Sequence, residues 1–155
     1  MELLYHCGLK VNELTQLRTH DVSETKIFIT SREEFIGLSE ITSIFLQNYL
    51  QIRAPLPGSL NSQIIFLNYQ GTPLSARSIG RMIKKYGSRF KINANPQSLR
   101  DSLAVHLTES GGNIYEVQEK LGFVKTTSAS KYMAFTPTLD RFLKCHTQST
   151  TDHSS

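Results

Sequence analysis

Apolar residues recur every three to four positions over most of this chain, and the exceptions are short. Met1 to Tyr5 reads as the end of a helix broken near Gly8, and Lys10 to Leu17 carries Val11, Leu14 and Leu17 at the spacing of a second one. The pattern then changes. Lys26-Ile27-Phe28-Ile29-Thr30 is β-branched and aromatic, and Glu34-Phe35-Ile36-Gly37-Leu38 suits a partner strand. Ser39 is placed to cap a helix with Ile41, Ile44, Phe45, Tyr49 and Leu50 on one face. A loop with two prolines, Ala54 to Ser62, precedes a third compact strand, Ile64 to Leu67, which ends at the turn-forming Gln70-Gly71-Thr72-Pro73.

After Ser75 comes the most amphipathic stretch. Ile79, Met82, Ile83 and Tyr86 form a stripe for burial, while Arg77, Arg81, Lys84 and Lys85 fall on another face. Further helices are predicted over Ser98 to Ser110, broken by Gly111-Gly112, over Ile114 to Leu121, near Thr126 to Met133, and over Leu139 to Cys145. The Ser/Thr-rich tail, Thr147 to Ser155, is expected to be disordered. The sum is an α+β fold, mainly helical, with a small three-stranded antiparallel sheet in one domain over residues 1–146.

Composition narrows the function classes. With 155 residues and 39% hydrophobic positions the chain supports one core. It has neither a basic-then-apolar leader nor an apolar run of membrane length, so a cytoplasmic protein without a membrane partner is expected. Cys7 and Cys145 lie far apart with no ligand spacing, and His6, His20, His146 and His153 make no plausible ligand set. No metal or other cofactor is expected. Charge is segregated: between Glu40 and Asp101 stand eight basic residues and no acidic one, whereas the rest of the chain is net negative. A polyanion-binding face looks like this, and so does a solvated charged face that binds nothing.

Four segments lie in a telling order: Gly8-Leu9-Lys10-Val11-Asn12-Glu13-Leu14, Phe66 to Ser75, Gln97-Ser98-Leu99-Arg100, and Leu121-Gly122-Phe123 followed by Tyr132. Together they resemble the catalytic domain of the tyrosine recombinase (phage integrase) family. The resemblance implies double-stranded DNA as partner, action as a homo-oligomer on DNA, and no small-molecule substrate. It also implies a source in a phage, plasmid or other mobile element, and a helical domain upstream that this chain does not include. The family's chemistry is attack of a tyrosine hydroxyl on a phosphate, giving a 3′-phosphotyrosine and a free 5′-hydroxyl.

Carried onto this sequence, Tyr132 is the nucleophile, Arg100 and Lys10 are the phosphate-binding cations, and Gln97 takes the place of the box histidine. Arg77, Arg81, Lys84 and Lys85 are the candidate DNA-binding cations. Three positions depart from the family's pattern. Lys10 keeps the charge of an arginine but loses its bidentate fork. Gln97 exchanges no protons, and Phe123 stands where histidine or tryptophan is usual. The predicted hairpin carries only Arg32, which is too basic to donate a proton at neutral pH. These changes predict slowed acid–base chemistry, and the alternative is the same fold kept for DNA binding without cleavage. His106 falls on the apolar stripe of its helix and reads as packing.

Overall fold

The computed structural model of the protein describes residues 1–133. The expected helix at Leu139 to Cys145 and the tail lie outside the described residues. Seven α-helices and one β-hairpin follow in the order α1 (Glu2–Tyr5), α2 (Val11–Gln16), β1 (Lys26–Ile29), β2 (Glu34–Gly37), α3 (Glu40–Arg53), α4 (Ala76–Arg89), α5 (Pro96–Glu109), α6 (Ile114–Leu121) and α7 (Thr127–Ser130).

Local signals account for most boundaries. Ser39 and Ser75 each accept the backbone N–H three residues on and so cap α3 and α4. Asn95 does the same for α5, whose first residue, Pro96, needs no donor. Asn113 and Glu116 form a reciprocal capping box at the start of α6. Gly122 closes α6 in the left-handed region, and Phe123 N–H then reaches back to the Gln118 carbonyl at 2.9 Å.

β1 and β2 pair antiparallel, with Ile27 opposite Ile36 and Phe28 opposite Phe35, so Ile27, Ile29 and Ile36 point inward. The expected third strand does not join them: the sheet has two strands. Residues Ile64 to Leu67 instead make isolated bridges to Arg18 and, within their own turn, to Pro73. The physical reason is Arg53, the last residue of α3. Its Nε lies 2.9 Å from the Ile65 carbonyl, and its Nη2 lies 2.6 Å from that of Ser62 and 2.7 Å from that of Ile64. A side chain consumes the acceptors that a strand would have used.

α3 is also rotated from expectation. Thr42, Leu46 and Arg53 are its buried residues, while Ile41, Ile44 and Phe45 are more than half exposed. On α4, Ile79 and Ile83 are buried as expected, but Met82 and Tyr86 are exposed, and Gly87 takes the next inward position. Gly87 packs so closely that a Cβ there would meet the Ile92 carbonyl at 2.7 Å.

The buried side chains form two clusters. One gathers α1 to α4 with the hairpin and Ile65, and the other gathers α5, α6 and α7 around Val117, Leu121 and Tyr132. Gly8 sits at the seam, against Leu103 and Leu121 of the second cluster, while its neighbours Cys7 and Leu9 belong to the first. Burial pushes the Cys7 thiol up to about 11, which leaves it protonated and unreactive.

Replacing Arg53 by Ala strips a donor from the carbonyls of Ser62, Ile64 and Ile65, of which only Ile65 keeps a second side-chain donor among the described residues, the Tyr49 hydroxyl at 3.3 Å, and it empties a buried site. Urea unfolding is expected to show a loss of about 3 kcal/mol.

Candidate active site

The seam between the two clusters gathers Arg100, Tyr132 and, on the other side of Phe123, Lys10, while the four predicted cations of α4 lie outside the cleft. Gly8 has φ +62°, a conformation that side chains rarely adopt, and its carbonyl points at two guanidinium groups. Arg100 Nη1 donates to it at 3.0 Å, and Arg32 Nη2 donates to it at 3.0 Å. Arg100, on the second turn of α5, is 4% exposed and also donates to the Leu121 carbonyl at 2.8 Å. Its other three N–H groups have no acceptor among the described residues.

Arg32 is the residue that sequence reasoning undervalued. It comes from the β1–β2 turn, its side chain is 7% exposed, and all five of its N–H groups are engaged. Nε and Nη2 meet the two Glu13 oxygens at 2.8 and 2.7 Å in a bidentate pair. The remaining donors reach Gly8, Glu34 Oε1 and the Lys120 carbonyl. The sequence held no periodic trace of this pair, because its partners lie 19 residues apart and in different elements.

Glu13 therefore orients neither the Lys10 nor the Arg100 side chain. It holds Arg32 and accepts the Lys10 backbone N–H at 2.7 Å. Burial pushes its carboxyl up, but the hydrogen bonds from Arg32 and Lys10 outweigh that and leave its pKa below the ordinary 4.5. Burial and the neighbouring Arg32 lower the pKa of Arg100, which nonetheless stays charged at neutral pH.

Lys10 is exposed at the start of α2 and lines a cleft of about 530 Å³ together with Arg32, Tyr115, Gln118, Gly122 and Phe123. The Phe123 ring is a shared wall. The Arg100 guanidinium lies 5.8 Å from its centroid, and the Tyr132 ring stacks on it at 6.3 Å with 14° between planes.

Tyr132 is 3% exposed, and its hydroxyl donates to Asp101 Oδ1. Burial and then the bond to Asp101 raise its pKa above the ordinary 10. Gln97 is exposed and donates to the same carboxylate oxygen at 2.8 Å, so it turns away from Arg100. Arg100 pairs with no carboxylate among the described residues and rests on two backbone carbonyls. His106, expected in the packing stripe, is exposed and bonds the Tyr5 hydroxyl.

Arg77, Arg81, Lys84 and Lys85 are all exposed on α4, and none pairs with a carboxylate among the described residues. None of them lines the cleft. The described residues hold no cluster of metal-ligating side chains and no helix long and apolar enough to cross a membrane.

The sequence model of the phage integrase family matches residues 1–138. The chain belongs to that family. It is 34% identical over 140 residues to the tyrosine recombinase XerD of Staphylococcus haemolyticus, covering 85% of this chain and 48% of that protein. To XerD of Staphylococcus aureus strain N315 it is 33% identical over the same length. This integrase-family chain thus spans about half the length of the curated relatives it matches.

Among solved structures, XerA recombinase superposes with a TM-score of 0.78 at 22% identity, covering 98% of this chain and 55% of that one. XerH site-specific recombinase bound to difH substrate superposes at 0.71 and 19%, covering 84% and 40%. The fold is that of tyrosine recombinase catalytic domains, with a two-stranded sheet where three strands were expected.

The Glu13 carboxyl carries a pH signature. Its folded pKa lies below its unfolded value, so its contribution is complete above about pH 4.5 and is lost as pH falls through the folded pKa. In urea unfolding, Glu13→Gln is expected to cost about 3 kcal/mol at pH 7, with the gap to wild type narrowing at pH 3.5. A gap independent of pH would contradict the pairing.

Proposed function

We propose that this chain is the catalytic portion of a cytoplasmic tyrosine recombinase that binds duplex DNA and cleaves it through a 3′-phosphotyrosine at Tyr132. One observation carries the reading: Arg100 and Tyr132 flank a single ring, Phe123, whose other contacts open onto a cleft lined by Lys10. A nucleophile and two cations converge on one seam.

The chemistry follows from the donors. A pentavalent phosphate concentrates charge on its non-bridging oxygens, and preorganised cations stabilise that charge. Arg100 offers three N–H groups that are uncommitted among the described residues, from a site already dehydrated. Lys10 adds a mobile positive charge from the cleft side, without the planar fork that would fix the phosphate's orientation. The reaction runs without a metal or other cofactor, and bond energy is kept in the protein–DNA linkage for rejoining.

In the resting arrangement Tyr132 is shut away behind Phe123 and tied to Asp101. Cleavage therefore requires Phe123 to move aside and admit the phosphate to the hydroxyl, with the Asp101 contact kept. That requirement favours a second reading, a DNA-binding module of the same fold that no longer cleaves. Assembly as a homo-oligomer on DNA and origin in a phage, plasmid or transposon belong to the first reading.

The DNA contact is assigned to α4, where four exposed cations have no competing carboxylate among the described residues. Each neutralised phosphate releases condensed counterions, so binding weakens as salt rises.

Covalent trapping separates the readings. The chain is incubated with a pool of nicked duplexes from which the cleaved fragment diffuses away, beside a Tyr132→Phe control. A denaturation-resistant adduct that requires Tyr132 is expected. Its absence alongside intact salt-sensitive binding would leave the binding module. In a binding titration, Arg81→Ala with Lys84→Ala should reduce the salt slope by about 2. An unchanged slope removes α4 from the DNA interface.

A further inference from the structure

The hydroxyl assigned above to nucleophilic attack meets a carboxylate. Tyr132 donates to Asp101 Oδ1, and the same oxygen takes the 2.8 Å bond from Gln97 Nε2 and lies 3.8 Å from Lys131 Nζ. Three partners from two elements fix one rotamer of Asp101. The side chain is 40% exposed, so solvent can reach the carboxylate.

Asp101 directly follows Arg100 on α5, and both its charge and the Tyr132 phenol act on the Arg100 guanidinium, so the three groups share one locality. The charged groups acting on Asp101 are Lys131 from the segment after α7 and Arg100 from its own helix. Those acting on Tyr132 are Asp101 and Lys131. Among the described residues, the other side chains expected to carry protons do not serve this spot. Phe123 has no exchangeable proton, Gln97 does not titrate, and His106 is turned to Tyr5.

A phenol at neutral pH is a weak nucleophile, and both burial and Asp101 hold this one in its protonated form. Its proton must therefore leave as the new bond forms. We propose that Asp101 is the general base of strand cleavage, accepting the Tyr132 hydroxyl proton as the phenolic oxygen attacks the phosphate; this rests on the recombinase reading above.

In that step the Tyr132 Oη–phosphorus bond forms and the phosphorus–O5′ bond breaks. The leaving electron pair stays on O5′, which takes a proton from water. The Tyr132 proton passes to Asp101 and returns to water through its exposed side, so no proton is consumed overall. In rejoining, the 5′-hydroxyl attacks phosphorus and loses its proton to water, while protonated Asp101 returns a proton to the departing phenolic oxygen. Gln97 and Lys131 are positioning residues for the carboxylate, which gives Gln97 a role different from that of the box histidine whose place it takes in the sequence.

The test uses the whole chain with the nicked-duplex pool and follows the rate of adduct formation from pH 5.5 to 9.5. Wild type is expected to be nearly flat above pH 6. Asp101→Asn should be slower by about 100-fold at pH 7 and gain close to tenfold per pH unit, because only the phenolate then reacts. A purely structural defect would lower the rate equally at every pH, and that outcome overturns the proposal. So does an Asn variant that cleaves as fast as wild type or faster, which would make Asp101 a restraint.

Asp101→Glu, which keeps a carboxylate, is expected to retain a flat profile with a rate within tenfold of wild type; a rising profile in that variant also counts against the assignment. No adduct from wild type would overturn the recombinase reading and this inference with it. An adduct undiminished in Asp101→Asn overturns this inference alone.

Discussion

The buried pair between Glu13 and Arg32 is the constraint on which the seam is built. Two ions held at 4% and 7% side-chain exposure have left most of their hydration, and such burial is unfavourable unless every remaining donor is matched. Here it is matched, through Glu34 and the carbonyls of Gly8 and Lys120. The pair therefore ties together three parts that the chain order keeps apart: the loop before α2, the hairpin turn and the end of α6. Arg100 inherits its position from this, because it shares the Gly8 carbonyl with Arg32. Lys10 inherits its freedom, since Glu13 takes its backbone N–H and leaves its ammonium in the cleft.

Much of this was legible in the sequence where the signal is local. Ser39, Ser75 and the Gly111-Gly112 break gave helix ends, and the β-branched run at 26–30 gave the first strand of the hairpin. The face of α3 was not legible, because it carries apolar residues on more than one side, and tertiary contacts chose Thr42 and Leu46 over Ile41 and Phe45. The third strand failed for the same kind of reason: nothing in Ile64 to Leu67 announces that Arg53 will take its carbonyls. At the candidate site, motif order singled out Tyr132, Arg100 and Lys10. The Asp101–Tyr132 contact spans 31 residues and the Glu13–Arg32 pair 19, and no periodicity reports contacts of that kind.

Phe123 gives the site its present character. An aromatic ring between a guanidinium and a phenol contributes packing and a weak cation–π contact, where a hydrogen-bonding side chain would have bridged them. On the proposed recombinase reading, acid–base chemistry on this side of the seam falls to the groups around Tyr132, and electrostatic stabilisation falls to Arg100 and Lys10. The two tasks are separated by a single ring. That division explains how a site lacking both expected histidines keeps an internally consistent set of contacts.

Gly8 offers no functional group, yet both arginines rest on its carbonyl. Its backbone is left-handed, and a Cβ would strike the Lys120 carbonyl at 2.7 Å, so the position admits no other residue without displacement. A drifting lineage could exchange Lys10, Gln97 or Phe123 one at a time and keep a folded seam. It could not exchange Gly8 that way, since one step there would dislodge two cations together. Tolerance to genetic change in this domain is therefore set less by the side chains that would meet DNA than by a residue that has none.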